Sequence, residues 1–157
     1  MYKFLILALT TFFYIGYLPL MPGTFASIAA VCLFLFLKAT PLNYIIMLIL
    51  VTLGGFLFSG KAERQIFKIK DAPYIVIDEI SGMSIALLPL LGLDYDLKMV
   101  FIALLFFRIL DTLKPYPADR LQGFKGSLGI MSDDIVAGIY SAFALQIAAS
   151  LNSLIAS

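Results

Sequence analysis

The sequence predicts an all-α, polytopic helical membrane protein with four transmembrane helices and an N-terminal helical pair that spans or re-enters. Three observations carry that expectation. Of the 157 residues, 62% are hydrophobic and only 13% charged, whereas soluble domains are about half apolar. The apolar residues form long runs, broken where Pro, Gly and charge accumulate. No run alternates in and out like a membrane barrel, and unpaired backbone groups are too costly in hydrocarbon, so each run should be a helix. A span of roughly 30 Å needs about 20 apolar residues. The chain is therefore one membrane-embedded domain, 1–157, with no room for a separate soluble module.

Six segments follow in order. The first, Phe4–Leu20, begins after Met1-Tyr2-Lys3 like a signal peptide, but Pro19 to Pro22 is not a small-residue cleavage site, so it is read as retained. Gly16 and Pro19 interrupt it. The second, Phe25–Leu37, is short for a span, so these two are expected to span or re-enter around Met21-Pro22-Gly23-Thr24. The four transmembrane helices expected are Tyr44–Ser59, Tyr74–Leu93, Leu97–Leu113 and Ile135–Ile155.

Alternate crossing places the loops 60–73 and 114–132 on one side, called here the loaded face. That face carries Lys61, Arg64, Lys68, Lys70, Arg108, Lys114, Arg120 and Lys125, against Lys3, Lys38 and Lys98 opposite. The positive-inside rule makes the loaded face cytoplasmic. Asp78, Glu79, Asp111, Asp133 and Asp134 fall on the same side, while Asp94 and Asp96 do not. A net charge of +1 argues against a nucleic-acid partner.

With no histidine, imidazole chemistry is excluded, including phosphohistidine formation. Cys32 is the one cysteine; it allows no intrachain disulfide or thiolate zinc cluster and reads as a packing residue. Carboxylates, Lys, Arg, hydroxyls and backbone remain.

Asp78-Glu79 interrupts an apolar run, where ionisable groups are costly and usually functional; the plainer reading is an acidic first turn favoured by the helix dipole. Arg108, Asp111 and Lys114 recur at three-residue spacing before Pro115. They read either as an internal salt bridge with a snorkelling lysine, or as a phosphate fork, a cation ligand and a compact charge. Ser132-Asp133-Asp134 follows a loop spaced by Gly123, Gly126 and Gly129, and reads as a helix cap or as a second carboxylate pair. Gly23-Thr24-Phe25-Ala26-Ser27 follows a Pro turn, where amides and two hydroxyls near a helix N-terminus could meet an anion; Thr24 as an ordinary cap explains it equally. Asp94-Tyr95-Asp96 suggests an aspartyl nucleophile but lies on the opposite face. Five carboxylates and two cations on one face suit Mg²⁺ with a phosphate substrate.

Four ordered stretches carry a resemblance: Pro22–Ser27, Val76–Met83, Phe107–Pro117 and Lys125–Gly138. Together the chain resembles the bacterial phosphatidylglycerophosphatase A family. The resemblance implies Mg²⁺-dependent hydrolysis of phosphatidylglycerophosphate, a phospholipid, to phosphatidylglycerol at the bacterial inner membrane. It assigns Asp78, Glu79, Asp111, Asp133 and Asp134 to the catalytic acids, with Asp78, Glu79, Asp111 and Asp134 as metal ligands. Arg108, Lys114, Gly23, Thr24 and Ser27 fall to the substrate phosphate. Ala26 and Phe25 stand where the family usually has Gly and often Trp. Two rivals are an alcohol phosphotransferase, which would need more aspartates on adjacent helical turns, and a cation transporter, which would need ionisable groups accessible from both sides.

Overall fold

The computed structural model describes residues 2–156 apart from Ala39, Asp71, Leu93, Asp94 and Asp96, with side chains as far as residue 150. The Asp94 and Asp96 pair therefore lies outside the described residues. In order, the helices are α1 (Tyr2–Thr10), α2 (Pro22–Leu37), α3 (Pro41–Lys61), α4 (Ile77–Ala86), α5 (Leu97–Leu113), α6 (Ala118–Leu121) and α7 (Ser127–Ala156). No strand occurs among the described residues.

Two helical stretches are long and apolar enough to cross a membrane. One is 41–67, where a π-helical turn, Ala62–Phe67, continues α3; the other is 127–150 within α7. By that measure two of the four expected spans are found. The helix α5 keeps its expected bounds at 17 residues, and α2 has 16, so both are about 25 Å long. The departure is α4, with 10 residues, about 15 Å, or half of a ~30 Å hydrocarbon core. A 3₁₀ turn containing Pro89 follows it, and proline cannot continue the helical hydrogen-bond ladder. Ile77, Ile80, Ser81, Gly82, Met83, Ser84 and Ala86 are all buried. The apolar run Tyr74–Leu93, expected as one transmembrane helix, holds instead a short core helix sheathed by its neighbours.

The N-terminal segment turns back on itself. Ile6 packs in a buried cluster with Ala62, Ala72 and Ile75, at the loaded end of α3, and Val76 N–H donates to the Thr10 carbonyl (2.9 Å) farther in. Phe12, Phe13 and Tyr14 then turn the chain with positive φ. Tyr17 returns to stack on Tyr74 and lie beside Phe67. Helix α1 thus enters from the loaded face, and Lys3 belongs there rather than opposite, which makes the division of basic residues nine to two. The chain reaches Pro22 on that side, descends through α2, climbs through α3, descends partway in α4, climbs through α5 and descends through α7.

Inside the bundle, α3 and α4 are joined by hydroxyls. Tyr44 donates to the Ser84 carbonyl at 2.8 Å, and Thr52 pairs with Ser81 at 2.6 Å. The outer surface is apolar: Leu97, Phe101, Leu105, Ile109 and Leu113 form an exposed stripe along α5, and Leu42, Ile49, Leu53 and Leu57 another on α3. Stripes of this size suit contact with hydrocarbon rather than water. Cys32 is exposed on α2 rather than packed inside.

Candidate active site

The site forms where α4 crosses α7. A side chain on Gly82 would run into the Asp134 carbonyl and the Phe107 ring, and one on Gly138 into the Gly82 carbonyl. Small residues let helix backbones meet at such a crossing. Each glycine stands four residues after an acid, Asp78 before Gly82 and Asp134 before Gly138. Each carboxylate is therefore one turn from the contact on the same helix face. Both helices descend from the loaded face, so the two acids lie on the same side of the crossing. Asp78, Glu79 and Asp134 each bring one oxygen to within 4.8 Å of the others.

The remaining residues close around this trio. A side chain on Gly23, at the start of α2, would run into the Glu79 carboxylate and come within 3.3 Å of the Arg108 guanidinium; the glycine lets α2 approach both. Arg108 donates to Asp111 at 2.7 Å, and Asp111 adjoins Asp134. Lys114, with φ 45° at the end of α5, donates to Asp133 at 2.5 Å. That left-handed conformation is uncommon outside glycine and asparagine, and here it turns the lysine toward α7. Burial opposes the charge on Lys114, but the Asp133 hydrogen bond and the nearby Asp134 and Asp111 carboxylates outweigh it and raise its pKa above the ordinary lysine value.

Asp134 lies seven residues below Ser127 along α7, about 10 Å beneath the loaded end. At this depth five carboxylates face two cations, a formal excess of three negative charges. Asp78 Oδ1, Glu79 Oε2, Asp133 Oδ1 and Thr24 Oγ1 are buried without a hydrogen-bond partner among the described residues. Buried acceptors normally find partners, so such a group points to an ion or ligand. Several carboxylate oxygens converging under net negative charge could hold a hard divalent cation such as Mg²⁺.

The structure thus gathers Asp78, Glu79 and Asp134 directly, with Asp111 and Asp133 each tied to its cation at the margin. Ser27 is buried and donates to the Gly23 carbonyl at 2.9 Å, which commits its hydroxyl to α2. The Thr24 and Phe25 amides turn back to the Met21 carbonyl. Of the Gly23–Ser27 turn, the Thr24 hydroxyl is the side-chain group left unpaired. Helix α7 begins at Ser127, so Ser132 is not its cap and the adjacent acids are not in its first turn. Ser127 instead accepts a hydrogen bond from Gly60 N–H at 2.7 Å, which brings the ends of α3 and α7 together. Sequence reasoning missed Gly82 and Gly138 as the residues that set the crossing. The available signal was the repeated Asp-x-x-x-Gly on two helices.

Comparison with known proteins gives consistent results. The family model for phosphatidylglycerophosphatase A matches residues 8–149. A Bacteroides thetaiotaomicron protein, described provisionally as a phosphatidylinositol-3-phosphatase, is 33% identical over 152 residues, covering 93% of this chain and 94% of its own. Phosphatidylglycerophosphatase A of Escherichia coli is 35% identical over 130 residues, 81% of this chain and 73% of its own. The Haemophilus influenzae phosphatidylglycerophosphatase A is 31% identical over 132 residues, 80% and 78% respectively. No solved structure matches.

Proposed function

From the premise that the chain belongs to the phosphatidylglycerophosphatase A family and is a phosphatase, we propose that it cleaves phosphatidylglycerophosphate to phosphatidylglycerol and phosphate at the cytoplasmic leaflet of a bacterial inner membrane, with Mg²⁺. The observation that carries the metal reading is the trio Asp78, Glu79 and Asp134, whose oxygens lie within 4.8 Å of one another, two of the three residues keeping an unpaired buried oxygen.

In this reading Asp78, Glu79 and Asp134 hold the cation, and Asp111 closes the cluster beside Asp134. Bound Mg²⁺ would polarise the phosphoryl group and lower the pKa of a coordinated water. Arg108 meets the phosphate oxygens. Its guanidinium carries five donors in a rigid fork, and the Asp111 hydrogen bond fixes the plane of that fork. Lys114, turned inward and held by Asp133, supplies a second positive charge for the oxygens as they gain charge in the transition state. The unpaired Thr24 hydroxyl at the positive end of α2 is a further donor to phosphate. Ser27 supports this turn through its bond to the Gly23 carbonyl.

The same placement supports a membrane arrangement. Helices α2, α3, α5 and α7 cross, whereas α1 and α4 go partway, and the nine-to-two excess of basic residues makes the loaded face cytoplasmic. The phosphotransferase and transporter alternatives are not favoured by the family match. A transport path would also need its ionisable groups accessible from both sides, whereas these acids approach the loaded face alone.

The test is phosphate release by detergent-purified protein from phosphatidylglycerophosphate and, separately, from phosphatidylinositol 3-phosphate, with Mg²⁺ or with EDTA. Release from the first lipid that needs Mg²⁺ and is lost in Asp78→Asn and Asp134→Asn is expected. Full activity in EDTA, or in both variants, would sink the metal site. Preference for the inositol lipid would move the substrate to the one in the Bacteroides relative's description.

A further inference from the structure

We propose that the apolar groove between α2 and α3 is an acyl-chain site, holding one fatty chain of the lipid whose phosphate is cleaved. This rests on the phosphatase reading for the identity of the lipid, but its geometry is independent of the carboxylates.

The groove encloses about 560 Å³ and is walled by α1 and its following turn, α2, α3 and Ile77. Among the described residues on its wall, Asn43 is the one polar side chain and none is ionisable. Its lining includes Ile77, the residue that precedes Asp78 in α4, which puts that part of the groove one residue along the chain from the carboxylate cluster. From Gly54 it follows α3 down to Asn43, eleven residues or about 16 Å, which matches the reach of a fatty chain across half of a ~30 Å hydrocarbon core. Ile46 and Leu50, on its α3 wall, are 46% and 64% exposed. The opening therefore faces sideways, toward what covers the apolar outside of α3, and not toward the loaded face.

These features together specify the occupant. An uncharged wall rejects a headgroup, a lateral opening admits a chain already in the bilayer, and Ile77 on the wall precedes Asp78 of the proposed phosphate site. A glycerophospholipid with its phosphate at Asp78 and Arg108 has a chain available at the part of the groove lined by Ile77. Gly54 keeps that part open, because the nearest atom to a side chain placed there is Ile77 Cδ1 at 3.9 Å.

The experiment compares Gly54→Leu and Gly54→Ala with wild type on dioleoyl and dibutyryl phosphatidylglycerophosphate in detergent. Gly54→Leu should lower kcat/KM for the dioleoyl lipid about tenfold or more, mainly through KM, and leave the dibutyryl analogue within about twofold. Gly54→Ala, which adds a single methyl, should give the smaller loss of the two variants on the dioleoyl lipid. Equal loss on both lipids, or loss on neither, overturns the assignment. A second measurement does not depend on turnover: dioleoyl-type substrate bearing a diazirine near the chain end, in phosphatidylcholine liposomes, should label Met47 and Leu50. Excess phosphatidylglycerophosphate should suppress that label, and excess phosphatidylcholine should not. Labelling spread equally along the outer stripe of α5, or unaffected by competitor, would mean ordinary surrounding lipid and defeat the proposal. Competed labelling without phosphate release would refute the activity and leave the groove standing.

Discussion

The α4–α7 crossing and the α2–α3 groove use glycine to opposite ends. At the crossing, Gly82 and Gly138 put backbone against backbone and leave no room for a methyl group. In the groove, a side chain on Gly54 would meet Ile77 Cδ1 at an ordinary contact distance of 3.9 Å, and α1, α2 and α3 enclose about 560 Å³. The first arrangement fixes carboxylates at short range, which electrostatic catalysis needs, because groups placed in advance cost no reorganisation during reaction. The second leaves room for a flexible chain that must come and go. The two regions meet at Ile77 and Asp78, adjacent residues that belong to different regions.

The contrast can be broken or sharpened by substitution. The largest effect should come from the acids: Asp78→Asn or Asp134→Asn should lower phosphate release by about 10²–10⁴-fold, with a thermal midpoint in detergent close to wild type. A large fall in that midpoint would mean that the acids hold the fold rather than the chemistry. Next is Gly138→Ala, whose added methyl would meet the Gly82 carbonyl. Overpacking of this kind should cost about 1–3 kcal/mol, read by thermal unfolding, with activity falling as the acids are pushed apart. Lys114→Ala leaves Asp133, 5% exposed, without its cation, and should cost about 2 kcal/mol; Lys114→Ala with Asp133→Asn should recover part of that stability without recovering activity. The smallest effect has the opposite sign. Gly54→Ala removes a glycine from a helix interior with space beside it, and should raise stability by about 0.5–1 kcal/mol. If Gly54→Ala and Gly138→Ala behave alike, the distinction between the two regions fails.

The charged half of the molecule was legible in the sequence, and for a physical reason. In a chain this apolar each ionisable residue is an anomaly, so Asp78, Glu79, Arg108, Asp111, Lys114, Asp133 and Asp134 stand out and sort to one face. The structure keeps them together there. What hydropathy could not separate was apolar surface facing lipid from apolar surface facing protein. Leu87 to Leu93 extends the run of α4, so a buried helix of 10 residues reads as a span. The walls of the groove, Met47 and Val51 among them, read the same as any outward stripe. Lys3 was misplaced because the turn at Phe12–Tyr14 is made by aromatic residues with positive φ, where a turn signal would normally be Gly or Asn. The early start of α7 was hidden by Gly126 and Gly129. Gly129 sits inside the helix because a side chain there would strike the Phe124 carbonyl, so it marks close packing and not a loop.

The four-residue interval between acid and glycine on α4 and on α7 works as a ruler. Helical residues advance by about 100° each, so the crossing at Gly82 and Gly138 sets the direction in which each acid points as well as its distance. Inserting one alanine between Asp134 and Gly138 would keep every residue of the cluster and every glycine of the crossing, yet swing Asp134 about 100° out of phase with Asp78. The same insertion after Gly138 would leave the phase of the acids intact. At this crossing, spacing matters as much as residue identity, and a deletion in α7 has different consequences on the two sides of a single glycine.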